Sequence, residues 1–417
     1  MKNLRKIKLS AEQIIYYLSC GALFALPLGT SSFTIFGICI LFVWVFSGQW
    51  IKKRQVYFRA PWFWPVIAIM VLIWIGLIYT PDLEGWGTKF AKKTHYWLYA
   101  FAMGGIAFTK YPAQHMIKAF LIGLFLNALA GFLQMAHIAP TFDTWGMTKY
   151  TGFSGGYNTL SLFLVLGMLV ASFNIRAVKN RKEKGIYIIL MLTYFCHLII
   201  LEGRGGYLAF ALLSPIVIYN IFGKTYKGAI FLIYPLVIGI MLSSPIIRNR
   251  VSLSVDQLKH HLKADSDSAW GKAYTIHQDR FYMWRGAIHI FMENPIFGVG
   301  TGGYGTALKE KGKEDWPKIA HPHNNLLYVA VSFGIVGLLV FGWFFYVLLK
   351  IGWHNRKSPI GFFVLSSGLI ILVGGIADTP LLNADSSFFL AMVTGMLSAL
   401  PKEEILPRPS KSPSVPL

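Results

Sequence analysis

The stretch HPHNNLLYVAVSFGIVG, residues 321–337, sets two histidines and two asparagines directly before an apolar run. On a helix, His321 and His323 would point to different faces, so a position just before the helix is what lets both serve one site. Asn324 or Asn325 is placed to cap that helix by accepting a backbone N–H. An imidazole titrates near neutrality and can take a proton from a hydroxyl. The plainer alternative is a pair of polar side chains resting at a wet membrane edge.

A second feature is EGRGGYLAF, in which Arg204 sits among glycines between two apolar runs. Those glycines let the backbone come close to a ligand. A guanidinium fork matches phosphate oxygens, and Glu202 is the competing internal partner. The third feature, DRFYMWRGAIHIFMENPIFGVGTGGYG, carries Arg280, Trp284 and Arg285 ahead of a glycine run. Gly298, Gly300 and Gly303 formally spell G-x-G-x-x-G, but no strand precedes them, which argues against a dinucleotide site. The run reads instead as a flexible turn that returns Arg280 to the membrane surface. The acidic DSD at 265–267 reads as a solvated loop and not as a metal site. A base, several arginines and no evident metal set imply group transfer from a lipid-anchored pyrophosphate to an alcohol.

The elements that must position these groups are membrane helices. Of 417 residues, 55% are hydrophobic and 14% charged, and the mean hydropathy is +0.52, which is outside the soluble range. A net charge of +21 is spread in short bursts between apolar runs, so it reports topology and not a nucleic-acid surface. Cys20, Cys39 and Cys196 lie in apolar runs and read as small buried hydrophobes.

About twelve apolar runs meet the length criterion, from 12–30 to 385–400, with 94–109 the fourth. Alternation then puts the basic clusters at Lys2–Lys8, Lys52–Arg59, Arg176–Lys184, Lys227, Lys357 and Lys402–Lys411 on one side, the cytoplasm, with both termini. The first run reads as an uncleaved helix. The expected division is 1–243 for helices one to nine, 244–323 for a long outer loop, 324–400 for three more helices, and 401–417 for a disordered tail. Within the loop, Phe281, Trp284, Ile288 and Phe291 form an apolar stripe suited to the outer membrane surface, and Ile247, Val251, Leu258 and Leu262 form a weaker one.

His323 and Asn324, then nine residues, Gly334, two residues and Gly337 resemble the histidine signature of the bacterial O-antigen ligase family, in the superfamily that includes O-antigen polymerases and O-oligosaccharyltransferases. The order RGG, Arg280, Trp284, ENPIFGVG, HPHNN strengthens the resemblance. It implies an all-α, GT-C-type glycosyltransferase of the bacterial inner membrane with a periplasmic site. Such an enzyme moves O-antigen from undecaprenyl pyrophosphate to a sugar of lipid A core, with no cofactor or divalent metal and no nucleic-acid partner. By the resemblance His323 is the base, and Arg204 and Arg280 hold the pyrophosphate. His321, Asn324, Trp284, Arg285, Lys149 and Asn158 are the further substrate-binding candidates. Gly203 departs from the serine expected before the arginine, and Lys149 and Asn158 are what remains of a fuller family pattern. The polymerase spacing of arginine, ten residues and glycine is missing, since Arg204, Arg280 and Arg285 count to Pro215, Phe291 and Ile296. A transporter would spread its polar groups through the midplane, where His197 and Asn127 are isolated.

Overall fold

The computed structural model describes residues 9–141, 150–154, 156–223, 228–263, 280–311 and 319–400. Lys149, the DSD segment, Lys227, the N-terminal basic flank and the tail lie outside them. The described chain is helical: α1 Ala11–Ala25, α2 Thr30–Phe46, α3 Phe63–Ile75, α4 Leu98–Gly104, α5 Gln114–Met135, α6 Tyr157–Ala177, α7 Arg181–Ile200, α8 Arg204–Phe222, α9 Ala229–Ser243, α10 Pro245–Lys263, α11 Arg280–Glu293, α12 Tyr304–Lys311, α13 Asn325–His354, α14 Pro359–Ala377 and α15 Ala384–Met396. Seven segments among the described residues are long and apolar enough to cross a membrane: Ala11–Leu28, which is α1 with the turn after it, and the helices α5, α6, α7, α8, α13 and α14. α9 and α10 form an eighth candidate bent by 91°, and α2, α3 and the Ala384–Ala399 segment are shorter apolar helices. The protein is a polytopic, multi-pass membrane protein.

Why these residues form this bundle follows from what each helix faces. α6 packs against α7, α8 and α14, and 72% of its apolar window is buried. It is apolar on every side because protein surrounds it. α7 lies at the rim with 17% buried. Exposed Ile35, Ile38, Phe42 and Phe46 on α2 and Trp64, Val71 and Trp74 on α3 belong to the lipid-facing girdle. The cysteines correct an expectation: Cys39 and Cys196 are exposed on helix faces and Cys20 is half-buried.

The fourth expected span differs too. Residues 94–109 fold as a 3-10 turn, Lys93–Trp97, followed by α4. Tyr99 to Gly104 are all buried, and backbone enclosed by protein can leave the α-helix at membrane depth because neighbours satisfy it.

α11 buries Met283, Gly286, Ala287 and Ile290, of which Ala287 and Ile290 build a small core with Tyr304, Ala307, Leu308 and Val331. Of the expected stripe, Ile288 is exposed, Phe281 and Trp284 are half-buried, and Phe291 packs against that core. On α10, Ile247 is buried while Val251 and Leu258 are exposed.

Candidate active site at the histidine end of the bundle

α13 is a broken helix, and the break explains the glycine run. Gly334 adopts φ +62°, a left-handed conformation that favours glycine. The freed backbone is taken up by the 295–300 segment: Val299 N and Gly300 N donate to Val331 O and Ser332 O at 2.8 and 2.9 Å, and Ile335 N donates to Pro295 O at 2.8 Å. Thr301 N then donates to Gly76 O at 3.0 Å, and Thr301 Oγ1 to Ile73 O at 2.6 Å. A Cβ at Gly298 would run into the Val331 carbonyl, and one at Gly334 into Ile296. The expected flexible turn is therefore a brace, stitched by backbone hydrogen bonds to α13 and to the end of α3.

That brace anchors the helix whose entrance holds the histidines. Asn324 caps α13, accepting from Leu327 N at 3.0 Å, and its amide donates to Ile376 O at 3.0 Å. Asn325 Oδ1 accepts from Leu381 N at 3.3 Å, and its Nδ2 donates to Ile371 O at 3.4 Å. The two amides fasten the entrance of α13 to α14 and to the turn between α14 and α15. His323 sits just before the helix at φ +50°, a conformation that is strained for a side chain of this size and held by its surroundings. It brings the two imidazoles to 4.4 Å between ring centroids, as the pre-helical position predicted.

The turn supplies each histidine with a partner. His323 Nδ1 lies 3.0 Å from Asp378 Oδ1, and His321 Nδ1 lies 3.1 Å from Thr379 Oγ1. An ionised carboxylate accepts only, so His323 Nδ1 carries the proton and Nε2 is left as the base. Nδ1 of His321 also faces the His323 backbone N–H at 3.4 Å, which can only donate. His321 therefore carries its proton on Nε2. Burial, and then the neighbouring His323, push His321 down to about 3, so it is neutral at physiological pH. Burial alone would raise Asp378, but the His323 hydrogen bond and charge, helped by Arg280, hold it below the ordinary carboxylate range.

Arg280 opens α11 and joins the same group. Burial lowers it, while Asp378 and Tyr157 oppose that shift and Arg250 adds to it, so these four side chains share one electrostatic neighbourhood. Trp284 follows one turn later, and its Nε1 is buried with no partner among the described residues. Arg285 is half-buried on another side of the helix. Asn158 stands beside Tyr157 at the start of α6, with its carbonyl accepting from Ser161 Oγ at 2.7 Å.

Arg204 begins α8 and approaches from the other side. Its Nη1 donates to Gln257 Oε1 at 3.5 Å, whereas Glu202, the competing internal partner, pairs with Arg250. Gly203 and Gly206 do not open onto a ligand: a Cβ at either would collide with Ser161 of α6. Arg204 and Arg250 line a cavity of about 410 Å³ between α8, α9, α10 and α11, walled by Tyr207, Met241, Ile247 and Phe281. His323 is not among its lining residues. Phe281, the neighbour of Arg280 in the chain, is one of its lining residues. Among the described residues no group of three His, Cys, Asp or Glu side chains stands together as a metal set.

Asp378, Thr379, Arg250 and Tyr157 were missed in the sequence. Asp378 carried a signal, being the only acidic residue between Asp315 and Asp385 and standing at the end of an apolar run, where an ionisable group is functional by default.

The fold and site thus define a membrane protein that gathers imidazoles, a carboxylate and arginines at one end of its helices. Residues 187–342 match the model of the O-antigen ligase family. That stretch is similar to the O-antigen ligase family. The match encloses Arg204, Arg280, His321, His323, Gly334 and Gly337, and Asp378 lies beyond it. No curated protein matches the chain.

Proposed function

We propose that the protein is an O-antigen ligase of GT-C type. It transfers O-antigen polysaccharide from undecaprenyl pyrophosphate to a sugar hydroxyl of lipid A core, at the periplasmic face of the inner membrane and with both termini cytoplasmic. The observation that carries this reading is the 3.0 Å contact between His323 and Asp378 together with the influence of Arg280 on the same carboxylate.

In this reading the prenyl chain lies along the apolar cavity below Arg204, and Arg204 and Arg280 grip the diphosphate. His323 Nε2 takes the proton of the acceptor hydroxyl as its oxygen forms a bond to the anomeric carbon. The bond from that carbon to the phosphate oxygen breaks, and undecaprenyl diphosphate leaves with the negative charge. A single displacement inverts the carbon. Asp378 fixes the tautomer of His323 and stabilises the imidazolium that forms. The arginines supply preorganised positive charge where the leaving group develops its own.

The test is His323→Ala in a strain lacking its own copy, read on a lipopolysaccharide gel. Loss of the polymer ladder with accumulation of lipid-linked polymer supports ligation. A core capped by single repeat units would mark a polymerase, and a retained ladder would remove His323 as the base.

A further inference from the structure

From Asn294 to Leu308 the chain carries no charged side chain, although this stretch lies outside the membrane-crossing helices. Met292, Ile296 and Phe297 are 55–70% exposed at its start, and Ile335 and Leu339, one turn apart on α13, are 51% and 69% exposed. The two sets are joined through the backbone: Ile335 N donates to Pro295 O at 2.8 Å and Val336 N to Ile296 O at 3.3 Å. The exposed side chains of the turn after α11 thus stand against the exposed face of a helix long and apolar enough to cross the membrane. What covers that helix face is lipid, and the apolar surface continues onto the turn.

Depth along α13 supports the same reading. Its far interface is marked by Lys350 over the Tyr346 ring at 5.2 Å and by Arg356 over Trp353 at 4.3 Å, the aromatic and basic pairing of a headgroup belt. Gly334 stands sixteen residues before Lys350, roughly 24 Å of helix. The hydrocarbon layer is ~30 Å thick, so the break in α13 falls just inside its histidine-side edge. The 295–300 segment that fills the break lies at the same level. Non-helical backbone is tolerated at that depth where protein satisfies it. Here Pro295 O, Ile296 O and Phe297 O accept from Ile335 N, Val336 N and Tyr79 Oη, while Gly298 N, Val299 N and Gly300 N donate to Asn294 O, Val331 O and Ser332 O. Pro295 has no N–H to satisfy.

We propose that the turn carrying Ile296 and Phe297 is a re-entrant anchor, which enters the hydrocarbon from the histidine side and lays these two side chains against the acyl chains of that leaflet. The end of α11 is then held in the bilayer, while Arg280 opens the same helix at its other end. The anchor does not depend on which glycan is transferred.

The test uses the full chain with Cys20→Ala, Cys39→Ala and Cys196→Ala, carrying one new cysteine with a nitroxide label, in vesicles of phosphatidylethanolamine and phosphatidylglycerol. Electron paramagnetic resonance then compares relaxation of the label by oxygen, which concentrates in hydrocarbon, with relaxation by a water-soluble nickel chelate. Leu339→Cys on the lipid-facing side of α13 and Glu310→Cys on the exposed side of α12 set the two limits. The label at Phe297→Cys gives an oxygen-to-nickel ratio within about twofold of that at Leu339→Cys. Ile296→Cys gives the same result and serves if Phe297→Cys does not fold. A ratio matching Glu310→Cys puts the turn in water and overturns the proposal. A label shielded from both reagents means that protein covers the turn, a second copy of the chain included, and overturns it as well.

Discussion

His323 and Asp378, 55 residues apart in the chain, meet at 3.0 Å where the entrance of α13 faces the end of α14. Asp378 is 7% exposed and the imidazole 33%, so the carboxylate stands behind a ring whose other nitrogen opens to the site. That order, buried carboxylate then accessible imidazole, orients a base. It leads to a prediction that a structural role would not share. Asp378→Asn keeps the shape but can impose the wrong tautomer, and it should lower kcat by roughly 10²- to 10⁴-fold. The KM for the lipid-linked donor should change little. Steady-state kinetics of purified protein check this, and a loss confined to KM would argue for binding instead of base orientation.

Arg204→Lys and Arg280→Lys should each fail to support transfer at more than a few per cent of the wild-type rate, because a point ammonium cannot reproduce the fork. The assay is transfer to core acceptor, with protein level in the membrane as control. Full activity of either lysine variant would place the diphosphate elsewhere.

The brace gives a stability prediction. Gly334 and Gly298 both adopt positive φ, and a Cβ at either runs into backbone carbonyls. Gly334→Ala and Gly298→Ala should each destabilise the protein by about 2 kcal/mol or more, seen as a lower melting temperature in detergent. Gly239→Ala, where a Cβ meets nothing within 4 Å, is the control that should not.

His321 yields a pH dependence. Its folded value of about 3 lies below the unfolded value of about 6.5, so between those limits the unfolded chain binds the extra proton. Stability therefore falls as pH drops through the unfolded value. Between pH 7 and pH 5 the loss should be on the order of 1 kcal/mol once partial exposure is discounted. His321→Gln should flatten that part of the profile, which melting curves across pH can measure, and an unchanged slope would contradict it.

The polar groups of α5 and α7 give a fifth test. Asn127 donates to Thr151 O at 2.9 Å and accepts from Phe153 N at 2.8 Å, while Gln134 brackets Gly152 at 2.8 and 2.9 Å. His197 Nε2 meets Tyr150 O at 2.8 Å. They clamp the segment that leads to Tyr157 instead of forming a transport path. Asn127→Leu should destabilise by about 1–3 kcal/mol through the stranded backbone groups, with a lower melting temperature as the readout.

The helices and the pre-helical histidines were readable in the sequence because membrane spans and helix entrances obey local rules of length and capping. The 94–109 span was misjudged because hydropathy cannot tell lipid from a protein neighbour: both are apolar. The 295–302 segment was legible as glycine-rich but not as a brace, since its partners, Val331, Ser332 and Gly76, are set by tertiary contact. Gln257 was invisible for the same reason, its burial depending on where α10 docks against Arg204.

The central claim is tested most directly by mixing purified protein with lipid-linked O-antigen and lipid A core in detergent, with chelator and without nucleotide, and comparing wild type with His323→Ala. The account predicts joined glycan from the wild type and at least a 10³-fold slower rate from the variant, which still binds undecaprenyl diphosphate. Transfer by His323→Ala at the wild-type rate would contradict it.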